Sequence, residues 1–196
     1  VLFRAWNQKR GSVAVVDYSY SDGDIGVIRW QIGRENVYAG GIIERCEYGY
    51  PRIILLNPEA GGGEWNYEAV SNVFWLTCPY LNERIHGIEQ DGYIEKIGKF
   101  IRRDNSLIMR MESANAQIYF LRKRVCNSRP DVTFPEEMRR VMDAGVGGAR
   151  DTSSLKCLHA HFCHSRICGD NVAGLVTARL LDDRLNCEEV RCRNAI

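Results

Sequence analysis

The hydrophobic residues of this chain change their spacing near Thr77, and that change limits the folds open to it. Before Thr77 they stand in short runs punctuated by Gly, Pro, Asp and Asn: SVAVVDY (12–18), VYAGGIIERC (37–46) and PRIILLN (51–57). Runs of this length, rich in β-branched and aromatic residues, predict strands. Glu47-Tyr48-Gly49-Tyr50-Pro51 supplies a turn between the last two, and Ala60-Gly61-Gly62-Gly63 a loop. Asn72-Val73-Phe74-Trp75-Leu76 is then a further short, buried strand.

Beyond Thr77 the apolar residues step by three or four, the period of a helix with one buried face. Thr77 is placed to cap a helix over about 78–90, with Pro79 in its first turn, where a missing N–H is harmless. A second helix over about 93–103 carries Ile94, Ile97 and Ile101 on one face. A third aligns Leu107, Met111, Ala114, Ile118, Leu121 and Val125. Thr133-Phe134-Pro135-Glu136 has capping-box spacing ahead of Met138, Val141 and Met142, and helices over about 155–168 and 172–182 follow. The expected class is α+β: a small N-terminal antiparallel β-sheet followed by a larger α-helical part. Residues 1–196 are expected to form a single domain, with an N-terminal extension (1–25), a β-rich part (26–77) and a helical part (78–196).

Charge excludes some functions. With 26 basic and 25 acidic residues the formal net charge is +1, which argues against a protein devoted to nucleic acid or an anionic membrane. No apolar run approaches the roughly 18 residues of a membrane span. The opening VLFRAWNQKR has too short an apolar stretch for a secretory signal. The expected location is cytoplasmic, where the 8 cysteines serve as buried apolar groups, metal ligands or reactive thiols rather than as a disulfide framework.

Three of the 4 histidines and three of the 8 cysteines fall within SSLKCLHAHFCHSRICGDN (153–171). With Ser153 or Ser154 as cap and Gly169 as stop, this stretch predicts a helix. On such a helix Cys157, His161, His164 and Cys168 lie within roughly 60° of one another. Leu155, Leu158 and Phe162 form a separate stripe, with His159 and Cys163 beyond it, so all six Cys and His residues cannot hold one ion. The face predicted to hold a metal is Cys157, His161 and His164, joined by Cys78, with Cys187 and Cys192 as further ligands. Zinc or an iron–sulfur cluster suits these donors, and His161 can double as a catalytic acid or base. The alternative is that the histidines hydrogen-bond locally and the cysteines pack. A nucleophilic Cys157, activated by the helix start, Lys156 and a histidine base, is a further option; the C-x5-R loop of thiol phosphatases is absent. Just upstream, Gly145-Val146-Gly147-Gly148-Ala149-Arg150 has the chemistry of an anion cradle: Gly147 and Gly148 expose N–H groups, and Arg150 and Lys156 add charge. Its alternative is a tight turn that needs glycine at positive φ.

FWLTCPYL (74–81), the glycine loop (145–148), KCLHAHFCH (156–164) and GDN (169–171), with RCEYGYP (45–51) and HGIEQDG (86–92), resemble the bacterial family named domain of unknown function 501, over roughly residues 30–192. The resemblance marks Cys78, Pro79, Gly147, Gly148, Lys156, Cys157, His159, His164 and Asn171 as motif positions. Cys163 and Cys168 fall outside the pattern, and the family's Asn-Pro-Val-Gly stands here as Asn171-Val172-Ala173-Gly174. The family implies no activity; its genes often lie near exopolyphosphatase-like and septum-formation-initiator genes. Two functions follow as expectations. One is a metal-dependent protein acting on a phosphorylated or otherwise anionic small molecule. The other is a non-catalytic module that binds a cell-division or envelope-associated protein partner.

Overall fold

The computed structural model describes residues 19–59, 65–126, 136–150, 154–182 and 184–195. The strand expected over 12–18, the loop at 60–63, the cap at Thr133 and the cap at Ser153 lie outside the described residues. The architecture is α+β. Helix α1 (Asp22–Ile32) is followed by a three-stranded antiparallel sheet in the order β1 (Ala39–Arg45), β2 (Pro51–Leu56), β3 (Phe74–Leu76), with α2 (Tyr67–Asn72) inserted before β3. The rest is helical: α3 (Pro79–Gln90), α4 (Tyr93–Ile101), α5 (Asn105–Cys126), α6 (Glu136–Asp143), α7 (Leu158–Cys168) and α8 (Val172–Leu180). None of the described helices is long and apolar enough to cross a membrane.

After Arg52, the run IILL (53–56) is apolar without alternation because β2 is the central strand and is buried along its whole length. Ile53 and Leu55 face the main core, which α3, α4, α5, α7 and α8 complete with Leu81, Ile97, Met111, Phe162 and Val172. Ile54 and Leu56 face a second core made with Ile28 of α1 and Ala69 of α2. A strand covered on both faces has no solvent side to carry polar residues.

Helices α1 and α2 were not expected within the strand-like first part. Helix α1 is set by a capping box, in which Ser21 accepts from the Asp24 N–H while the Asp24 carboxylate accepts from the Ser21 N–H, and it ends at Gly33 in the left-handed region. Ile25, Ile28 and Ile32 do follow the helical step and pack on the second core, but Gly23 and Gly26 stand among them and weaken the helical signal. Thr77 is not the cap of α3; Cys78 is. The Thr77 N–H instead donates to the Arg52 carbonyl, extending the β2–β3 pairing by one position.

Two close contacts lock the helical part. Arg122, in the middle of α5, is fully buried, yet no carboxylate partner of its guanidinium appears among the described residues. It donates to five main-chain carbonyls: Val70 and Ser71 at the end of α2, and Met142, Ala144 and Gly145 at and just past the end of α6. The orphan carbonyls of two helix ends are thus satisfied by one cation. Helices α7 and α8 meet at Gly174, where an added Cβ would lie 2.1 Å from the His161 carbonyl oxygen.

Arg122→Met keeps the buried stem but strips five carbonyls of their donor, and is expected to lower unfolding free energy by about 3–5 kcal/mol. Urea denaturation measures this, and a loss under about 1 kcal/mol would show that water replaces the guanidinium. Gly174→Ala forces α8 away from α7 and is expected to destabilise by about 1–3 kcal/mol in the same assay.

Candidate functional site

Helix α7 begins at Leu158, and this displaces the expected cluster. Cys157 is its N-cap, with extended backbone (φ −145°, ψ 111°). Helical spacing therefore does not apply to Cys157, and its side chain leaves the face that carries His161 and His164. It turns instead toward His159, with Cys157 Sγ 3.8 Å from His159 Nδ1. The other ring nitrogen, Nε2, donates to the Asn82 carbonyl of α3 at 3.1 Å.

Glu89, also on α3, completes the group. Cys157 makes no side-chain cap bond, and the Glu89 carboxylate takes that role from another helix: its Oε1 accepts the Leu158 N–H at 2.5 Å. A carboxylate at a helix N-terminus is favoured by the dipole. The same oxygen lies 3.3 Å from His159 Nδ1. Among the described residues, Glu89, Cys157 and His159 are the one trio of such side chains whose ligand atoms all lie within 4.8 Å of one another. Cys157 and His159 line a cleft of about 310 Å³, walled by Phe74, Trp75 and Leu76 of β3 and by Glu68, Asn72, Asn82, Ala160 and Cys163. Burial alone would push the His159 imidazole down, but the Cys157 thiol, the Asn82 carbonyl and the Glu89 carboxylate together raise it above its ordinary value.

His161 and His164 are in the interior, where α7 packs on α8. The Asn171 side chain, N-cap of α8, joins them: its Oδ1 accepts the Gly174 N–H at 3.0 Å, and its Nδ2 lies 3.0 Å from His161 Nδ1 and 3.5 Å from His164 Nδ1. The Nε2 atoms of both rings are buried, with no hydrogen-bond partner among the described residues. Burial depresses the His161 imidazole to about 4, and burial with the nearby His161 and Arg122 depresses that of His164 to about 3. Cys163 and Cys168 are thiols that burial pushes up.

The glycine loop is a 3₁₀ turn, Val146–Gly148, with Gly147 at φ 68° and Gly148 at φ 76°. It packs on the start of α7: an added Cβ at Gly147 would lie 3.4 Å from the Cys157 Cβ. Three of its N–H groups are engaged internally. Gly145 donates to the Ala149 carbonyl, Gly148 to the Gly145 carbonyl, and Val146 to the Asn115 side chain. Arg150 and Lys156 are exposed. Cys78 does not line the cleft; it lines a different cavity, together with Cys187 and Cys192.

The structure thus brings Cys157 together with His159 and Glu89, and sets it apart from Cys78, His161 and His164. Glu89 and Asn82 were missed from sequence. Glu89 lay in the HGIEQDG stretch, whose resemblance to the family was visible, but nothing along the chain placed it beside residue 158.

A family model described as protein of unknown function (DUF501) matches residues 42–179, and the chain belongs to that family. No curated protein and no solved structure matches it.

His161 and His164 are neutral in the fold and gain protons in the unfolded chain near 6.5, so their contribution is fully present above that pH. It is lost as pH falls toward their folded values of about 4 and about 3. In an NMR titration, two of the 4 imidazoles are expected to keep neutral-form ring shifts down to about pH 5. All four titrating together at their ordinary value would contradict this burial.

Proposed function

We propose, taking membership of this family as the premise, that the chain is a zinc-dependent enzyme whose ion is held by Cys157, His159 and Glu89 beside the cleft. The observation that carries this reading is the meeting of three electron-pair donors at one point. With its Nε2–H committed to the Asn82 carbonyl, a neutral His159 turns the Nδ1 lone pair toward a carboxylate oxygen at 3.3 Å and a sulfur at 3.8 Å. Such an arrangement calls for a cation among the three, and zinc takes sulfur, nitrogen and oxygen donors together. Three protein ligands beside a cleft match the catalytic class of zinc site, in which a fourth position is left open.

When bound, the ion would supply Lewis acidity to a substrate oxygen. The chain's own groups prepare the site. The Asn82 carbonyl holds the imidazole tautomer, and the Leu158 N–H orients the Glu89 carboxylate. Phe74 and Trp75 limit water, while Asn72 and Asn82 line the same cleft. The substrate class this favours is a small molecule with an anionic group. Since the glycine loop's N–H groups are largely engaged, Lys156, next to Cys157, and Arg150 carry the anion-binding part of the reading. His161, buried against Asn171, holds α7 on α8 in this scheme and does not exchange protons with substrate.

A second reading uses the same atoms without metal: Cys157 as nucleophile and His159 as its base. The observation in its favour is geometric: His159 Nδ1 lies 3.8 Å from the Cys157 sulfur, where an imidazole can take a thiol proton.

Competition against a chromophoric chelator separates the two. Cys157→Ala is expected to weaken zinc binding at this site about 100-fold or more, and Glu89→Gln by about 10–100-fold. An affinity unchanged by both substitutions, together with fast alkylation of Cys157 that is lost on His159→Ala, would establish the nucleophile and remove the metal.

A further inference from the structure

Four cysteines that the cleft does not use converge elsewhere. Cys46 opens the turn between β1 and β2, Cys78 caps α3, and Cys187 and Cys192 lie on the C-terminal segment. All four line one small cavity of about 10 Å³, room for a single atom-sized guest. All four are free thiols.

The surroundings are those of a ligand sphere. Gln31 of α1 directs Nε2–H to the Cys192 sulfur at 3.3 Å, and the same nitrogen donates to the Pro51 carbonyl at 2.8 Å. An N–H donated to sulfur supports a thiolate. The Cys46 turn is closed on itself: its N–H donates to the Tyr50 carbonyl, and its carbonyl accepts from Gly49, at φ 83°. Burial pushes the Cys78 and Cys192 thiols up, and the nearby Arg52 and Arg191 offset only part of this.

The C-terminal segment also needs an anchor. Apart from a short 3₁₀ turn (Arg191–Ala195), its described residues have no helix or strand. It is tied by polar contacts: Tyr48 Oη donates to the Cys187 carbonyl at 3.0 Å, Arg191 pairs with Glu83 at 2.6 Å, and Arg52 bonds Asn186. A four-ligand ion would join this segment, the β1–β2 turn and the start of α3 at one point.

We infer that Cys46, Cys78, Cys187 and Cys192 form a closed, four-thiolate zinc site that fastens the C-terminal segment to the sheet. Soft thiolates select zinc or iron–sulfur clusters; the cavity's size favours a single ion. No three of the four sulfurs yet lie within 4.8 Å of one another. A zinc tetrahedron has Zn–S bonds of about 2.3 Å, so binding draws the thiols inward. Cys46, Cys78 and Cys187 stand on chain outside helices and strands, so the movement does not have to break a helix or a strand at those three. Each thiol gives up its proton to solvent on binding, and no redox change is involved. This site shares no residue with the cleft, so either assignment can fail alone.

The test is the zinc content of the full chain, purified under reducing conditions, for the wild type and for Cys46→Ser, Cys192→Ser and Cys157→Ala. Closed sites hold one ion each. Cys46→Ser and Cys192→Ser are each expected to remove about one zinc per chain, and Cys157→Ala to leave that ion in place. Should the serine variants fail to fold, cobalt exchanged into the wild type is expected to show the intense charge-transfer bands of a thiolate-rich tetrahedral site. Zinc content unchanged by both serine substitutions overturns the assignment, as does iron with acid-labile sulfide in place of zinc. Disulfides among these four residues, found by mass spectrometry after alkylation without reduction, would overturn it as well.

Discussion

The fold depends on a buried cation that has no carboxylate hydrogen-bonded to it among the described residues. Arg122 lies in the middle of a 22-residue helix and reaches the last carbonyls of α2 and those at and just past the end of α6. Removing a guanidinium from water is costly unless its N–H groups are paired; here helix ends, which carry partial negative charge, do the pairing. Burial still lowers the Arg122 pKa to about 10, so the group stays charged at neutral pH. Because Gly145 is among its acceptors, the same side chain holds the turn that leads to α7.

That turn has a structural task close to the cleft. Gly147 takes a left-handed conformation that favours glycine, and it packs against Cys157 and Ala160. The start of α7 is pressed between this glycine and the Glu89 carboxylate, which serves at once as helix cap and as neighbour of His159. Capping and site geometry are therefore one arrangement: the residues that end the loop and start the helix also bring sulfur, imidazole and carboxylate together. On the far side of α7, His161 and His164 share Asn171, the cap of α8, and Gly174 lets the two helices touch. The family motif thus divides between its two faces, with Cys157 and His159 at the cleft and His164 and Asn171 in the packing against α8.

How much was legible follows from this division. The α+β class, β1 and β2, and the helices α3 to α5 were visible because long segments repeat one period, and a buried face imposes that period on sequence. Helix α1 was hidden, since it is short, holds Gly23 and Gly26 within it, and is set by a cap that is a local hydrogen-bond pattern. The site was half visible. Its cysteine and one histidine stood in an unusual stretch, but the helical wheel grouped Cys157 with His161 and His164 by assuming a start before Leu158. A shift of the helix start by a few residues is within the ordinary ambiguity of helix ends, and it was enough to send the sulfur to the other face.

By itself, then, the sequence determined the α+β class, the strands β1 and β2, the helices that follow Thr77, and membership of a family. These are local properties, set by periodicity and by residue type. Only the tertiary structure decided which side chains meet. Glu89 and Leu158 are 69 positions apart, and Cys46 and Cys192 lie near opposite ends of the described chain. No periodicity links such pairs, because their meeting depends on how β2, α3 and the C-terminal segment pack around a shared core.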